Sequence, residues 1–190
     1  IVHMVFKGSP LGELPRIRNV QTKRASSWDV TGGNNDFLVV QPGETAVLAD
    51  IEGAGCVNHI WCTHMCLQPD YLRRLVLRMW WDGEAHPSVE VPIGDFFGIG
   101  HGIVKNIASL PLTMSPAHGR GWNCYFPMPF ADGARIEVTN ETEELYRLYF
   151  YVDYEAYDEL DAEYGRFHAQ WRRKNPTAGY ETGERQTIIL

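Results

Sequence analysis

Three stretches of the chain alternate with a period of two, and that regularity constrains the fold more than any other feature. Leu75, Leu77, Met79 and Trp81 fall on one face of a segment whose other face carries Arg74, Arg78 and Asp82. Ala134, Ile136 and Val138 alternate with Arg135, Glu137 and Thr139, and Tyr146, Leu148, Phe150, Val152 and Tyr154 line one side of a longer segment. Such a pattern marks strands with one face on a core. Further strands are predicted over Phe37–Val40, Thr45–Ile51, Cys56–Met65 and Ile103–Ala108, punctuated by Pro42-Gly43, Gly53, Gly55 and the turn from Asn140 to Glu144. The run Asn123–Phe130, NCYFPMPF, holds two prolines and is confined to an edge or bulged strand. About eight or nine strands at hairpin spacing with no helix between them predict an all-β chain, an antiparallel β-sandwich or jelly roll.

One helix is expected after the last strand. From Leu160 to Arg173, residues Leu160, Tyr164, Phe167 and Trp171 recur at helical spacing, Asp158 or Asp161 is placed to cap the start, and Asn175-Pro176 ends the run behind Arg172, Arg173 and Lys174. The resulting division is an irregular N-terminal arm over residues 1–21, a jelly-roll domain over 22–155, a connecting helix over 156–176, and a linker with an opening strand over 177–190. The first residue is Ile1 and the last run is QTIIL, so the natural protein is expected to continue beyond this stretch.

Charge and hydropathy exclude several classes. Asp and Glu outnumber Lys and Arg by 24 to 17, leaving no basic footprint for nucleic acid. No apolar run approaches the roughly 18 residues a membrane helix needs, so no membrane partner is expected. Cys56, Cys62, Cys66 and Cys124 match no zinc or redox spacing; Cys62, His64 and Cys66 share one face of a strand, but buried free thiols account for them, with neither metal nor cofactor expected. Reduced cysteines favour a cytoplasmic setting slightly over a secreted one.

The candidate functional residues lie in glycine-rich loops. In Trp80–Gly102, WWDGEAHPSVEVPIGDFFGIGHG, the glycines Gly94, Gly98, Gly100 and Gly102 surround Asp95, His101 and two aromatics that look exposed, Phe96 and Phe97. That make-up suits a polar ligand site with apolar walls. Glu84 is either a turn residue or a substrate contact; Asp95 either caps the loop through backbone N–H groups or touches ligand; His101 is either a ligand contact or a structural imidazole. The loop Ser26–Phe37, SSWDVTGGNNDF, sets Trp28 beside Asn34, Asn35 and Asp36, which either bond their own backbone in a tight turn or face a ligand. Arg120 and Asn123 in GRGWN are further contact candidates. Trp61, Trp80 and Trp81 are expected mostly in the core, with one free to stack on a sugar ring.

These motifs, in this order, closely resemble the N-terminal half of glycoside hydrolase family 172, formerly DUF2961. SSWDVTGGNNDF, PGETAVLADIEGAGCVNHIW, LRMWWDGEAHPSVEVPIGDFFGIGHG, NCYFPMPF, ARIEVTNET and YFYVDYE carry the resemblance from about His3 to Glu155. It implies a tandem of jelly rolls of which this chain is the first half, assembly into trimers or hexamers, and retaining action on α-D-fructofuranosides or D-arabinofuranosides. In that family two glutamates in GEGD-like and GTGTEDYF-like motifs do the chemistry, and neither motif occurs within residues 1–190. The resemblance therefore implies no catalytic residue here and an inactive fragment in isolation. Asp36 or Glu84 with Asp95, otherwise the natural carboxylate pair, become acceptors for sugar hydroxyls or loop-fixing groups. A non-catalytic carbohydrate-binding or structural module is the alternative.

Overall fold

A computed structural model describes residues 17–174, 179–181 and 187–189. It is a two-sheet, mainly antiparallel sandwich of the jelly-roll class. The strands are β1 (Gln21–Ser26), β2 (Leu38–Val40), β3 (Thr45–Glu52), β4 (Gly55–Met65), β5 (Leu75–Trp81), β6 (Val89–Pro92), β7 (Ile107–Ala108), β8 (Leu112–Ser115), β9 (Gly121–Cys124), β10 (Met128–Phe130), β11 (Gly133–Asn140), β12 (Tyr146–Ala156), β13 (Ala169–Gln170), β14 (Gly179–Glu181) and β15 (Thr187–Ile189). Single-turn helices α1 (Tyr71–Arg74) and α2 (Ile93–Phe96) flank β5 and β6. The larger sheet has the order β1-β12-β4-β9-β8-β7, with β10 continuing alongside β4 and β2 alongside β12; the smaller runs β13-β6-β5-β11-β3. Among the described residues the last two strands pair with each other.

The alternation seen in the sequence sets the core. Leu75, Leu77, Met79, Trp81, Ala134, Ile136 and Val138 of the smaller sheet meet Val57, Ile60, Cys62, Tyr146, Leu148, Phe150 and Val152 of the larger one. Each large apolar side chain buried this way contributes about 1.5–3 kcal/mol. In β4, Asn58 is an extra residue between the pairs Asp153↔His59 and Tyr154↔Val57. A bulge of this kind re-aims the strand. It leaves Val57 and Ile60 on the core while His59 is directly opposite Asp153.

Several expectations are corrected. No helix spans Leu160–Arg173: the segment is extended, its one regular piece being β13, which runs parallel to β6. Trp81 Nε1–H donates to the Phe167 carbonyl at 2.7 Å, Ala169 N–H to Ser88 O and Trp171 N–H to Glu90 O. A helix would keep those backbone groups for itself. Phe96 and Phe97 are not exposed but belong to the core. Their loop opens as α2, and Gly94 serves packing, because a Cβ there would lie 2.9 Å from Leu72 Cβ. Of the strand expected over Ile103–Ala108 only Ile107–Ala108 forms, and NCYFPMPF divides between β9 and β10, both paired to β4. The N-terminal arm lies outside the described residues up to position 16, and its last residue, Gln21, already belongs to β1.

Candidate functional site

The outward face of the larger sheet carries an unusual set of side chains. Along β12 the outward positions are Arg147, Tyr149, Tyr151 and Asp153; beside them on β4 are Met65, Thr63, Trp61 and His59. Outward positions on a solvated sheet are ordinarily charged or small, so paired aromatics there call for a partner or ligand. Trp61 and Tyr151 stack with ring centroids 4.8 Å apart, and the Arg24 guanidinium lies 4.3 Å above the Tyr151 ring. Tyr125 stacks on His59 at 4.7 Å, and Phe37 leans on Tyr149 at 5.4 Å.

A polar network holds one end of this face. Asp153 accepts from Arg24 Nε at 2.5 Å and bonds His59 Nδ1 at 2.9 Å, while His59 Nε2 meets Asn123 Oδ1 at 3.1 Å. Partial burial raises the Asp153 pKa, but the hydrogen bonds and charges of Arg24 and His59 outweigh it and hold the carboxyl below its ordinary value.

The other end opens into a cleft of about 700 Å³. Its floor and walls are Phe37, Thr63, His64, Tyr71, Trp122 and Tyr149, with Arg120, Arg147 and His118 at its sides. Cleft volumes of this size suit a sugar of a few rings. His64 Nδ1 meets the Tyr146 hydroxyl at 2.6 Å, and burial pushes its pKa down to about 3, so the imidazole is neutral. Among the described residues lining the cleft there is no Asp or Glu.

The sequence-derived candidates are dispersed over the molecule. Arg120 lines the cleft, and Asn123 sits in the His59 network. Trp28 is exposed on its loop. That loop is fixed from within: Asp29 accepts from Thr31 Oγ1 and N and from Asn35 N, Asp36 accepts from Asp29 N at 2.7 Å, and Asn34 takes φ 60°. Its bonds from Thr31 and Asn35 hold Asp29 below the ordinary carboxylate range. The loop meets β12 through Ser27, which exchanges hydrogen bonds with the Phe150 backbone, and through Phe37, which packs on Tyr149 and under Arg147. Glu84 accepts from Ser88 Oγ in the turn after β5 and lines a shallow hollow with Trp80 and Arg135 of the smaller sheet. Asp95 lies 2.6 Å from Arg73 Nε and accepts from Trp171 Nε1, and His101 is exposed in a turn. Glu84, Asp95 and His101 are therefore absent from the lining of the cleft.

The side chains lining the cleft offer aromatic faces and hydrogen-bond donors. Each candidate carboxylate is engaged within the fold, and among the described residues every carboxylate whose pKa is displaced is displaced downwards. An acid/base carboxyl requires the opposite shift. Among the described residues no group of three or more His, Cys, Asp or Glu side chains is arranged to hold a metal ion. A second hollow, of about 750 Å³, is lined by residues of the segment 157–167, where Tyr157 donates to Glu155, Arg166 pairs with Asp82 and Asp161 accepts from Glu163 N–H.

His59, Tyr149, Tyr151, Asp153 and Arg147 are functional candidates that sequence reasoning passed over in favour of the inward residues of the same strands. The signal was the pair of tyrosines at successive outward positions of β12. A family model described as GH172 domain-like matches residues 33–149, more than half of the chain. No curated protein matches it.

Proposed function

The chain belongs to the GH172 domain-like family of glycoside hydrolases, and from that premise we propose that it is the carbohydrate-holding jelly roll of a furanoside-active enzyme. The observation that carries this reading is the aromatic-walled cleft, which offers stacking surfaces and hydrogen-bond donors but no carboxylate pair. Retaining hydrolysis needs two carboxyl groups about 5–5.5 Å apart, one nucleophile and one proton carrier. On this reading the pair comes from another domain or from a neighbouring subunit of a trimer or hexamer, and the exposed Tyr125, Tyr149 and Tyr151 give that subunit a surface to meet.

The test is hydrolysis of aryl α-D-fructofuranosides and D-arabinofuranosides. The 190-residue chain is expected to bind these sugars without cleaving them. Turnover by this chain would refute the division of labour. A second reading, a purely binding module, is favoured by the absence of a raised carboxyl among the described residues; it predicts no turnover even in the assembled protein.

A further inference from the structure

Several arginines of the sandwich are matched to carboxylates. Arg24 reaches Asp153, Arg78 reaches Glu90, Arg135 reaches Asp50 and Arg166 reaches Asp82, all within 2.8 Å. In the cleft, Arg120 and Arg147 have no carboxylate and no side-chain hydrogen bond among the described residues. Arg147 instead lies 5.3 Å over the Phe37 ring, and its Nε is buried with no acceptor. A buried N–H without a partner costs about 1–3 kcal/mol, more when charged. The chain has a net charge of −7, so acids were plentiful, yet none is placed here.

Resting on the reading of the cleft as a sugar site, we propose that its ligand is an acidic glycan, bearing a uronate carboxylate or a sulfate ester that Arg147 and Arg120 receive. A guanidinium offers such oxyanions a planar, two-pronged set of donors. Arg147 is held against the Phe37 ring, and its terminal Nη groups, unlike the buried Nε, are left to receive an oxyanion. Tyr149 and Phe37 present the adjoining aromatic wall for a sugar ring, and the Thr63 hydroxyl is there for its oxygens.

The experiment is calorimetric titration of the full chain with three arabinofuranosyl oligosaccharides of equal length: one neutral, one ending in a glucuronate, one sulfated. The acidic sugars are expected to bind at least about 10-fold more tightly than the neutral one. Arg120→Ala, an exposed site that leaves packing intact, and Arg147→Ala should each remove most of that preference, and Arg147→Lys should keep part of it. The uronate and sulfate arms distinguish the source of the charge. Equal affinity for charged and neutral sugars would overturn the acidic-ligand inference and leave the sugar site standing; failure to bind any of the three would overturn both.

Discussion

Asp82 is the residue whose replacement most directly tests how the segment after β12 is held. It sits at φ 55° in the turn that ends β5, and its Oδ1 accepts from Ala131 N and Asp132 N, both at 2.7 Å, with Gly133 N farther off at 3.4 Å. Oδ2 accepts from Arg166 Nε, both side chains being about four-fifths buried. Asp82→Asn keeps the left-handed backbone and one acceptor oxygen but strands the Arg166 charge. Exposed pairs contribute at most about 1 kcal/mol, and breaking a fully buried pair costs about 3–5 kcal/mol. For this half-way case the expected loss is about 2 kcal/mol at pH 7. Asp82→Ala also deletes the acceptor for two short N–H bonds and removes the short polar side chain that makes the left-handed backbone tolerable, bringing the loss to about 4 kcal/mol. Partial burial raises the Asp82 pKa, but the bonds from Asp132, Arg166 and Ala131 lower it further, for a net fall below the usual value. Its contribution is therefore complete above about pH 3.9 and disappears as the pH falls through the folded value. Urea unfolding followed by tryptophan fluorescence should show wild type and Asp82→Asn separated at neutral pH and converging in acid. A loss under 0.5 kcal/mol at pH 7, or a gap that persists unchanged in acid, would refute the reasoning.

Two further outcomes concern packing and protons. Gly94→Ala forces a Cβ to within 2.9 Å of Leu72 Cβ and 3.0 Å of its carbonyl oxygen, so α1 and α2 must separate; a loss of about 1–3 kcal/mol is expected by thermal denaturation. His64, held neutral by burial with its pKa near 3, excludes a proton that the unfolded chain accepts at about pH 6.5. Stability should therefore fall as the pH drops from about 6.5 towards 3, by up to about 1.4 kcal/mol per pH unit, and His64→Gln should flatten the curve between pH 6 and 4.

The sandwich could be read from the chain because period-two alternation is a local property. In β5, β11 and β12 each inward residue is decided by its own position, and two sheets with one core follow. The helix over Leu160–Arg173 failed for a reason outside its own sequence. Phe167 and Trp171 are apolar at helical spacing, but the indole N–H of Trp81 needs the Phe167 carbonyl and the β6 edge takes the N–H groups of Ala169 and Trp171. Gly165, which costs a helix about 1 kcal/mol, was the local sign against it. Arg120 and Asn123 could be singled out beside glycines, and the turn built by Asp29, Asn35 and Asp36 had a composition that announced its own hydrogen bonds. The outward face could not be seen in this way. His59 and Asp153 are 94 residues apart and meet through the register of β4 with β12 and the bulge at Asn58. Register of that kind is settled by the whole fold.

The extended crossing from β12 to β13 ties the last strand of one layer to the rim of the other. Sliding the two sheets past each other would pull Phe167 from the Trp81 indole and Arg166 from Asp82 together, so shear along the strands is resisted by a covalent tether as well as by interdigitated side chains. Softening on heating is expected to begin instead at the two-residue strand β7, which is held to β8 only through the pairs Ile107↔Met114 and Ala108↔Thr113 among the described residues.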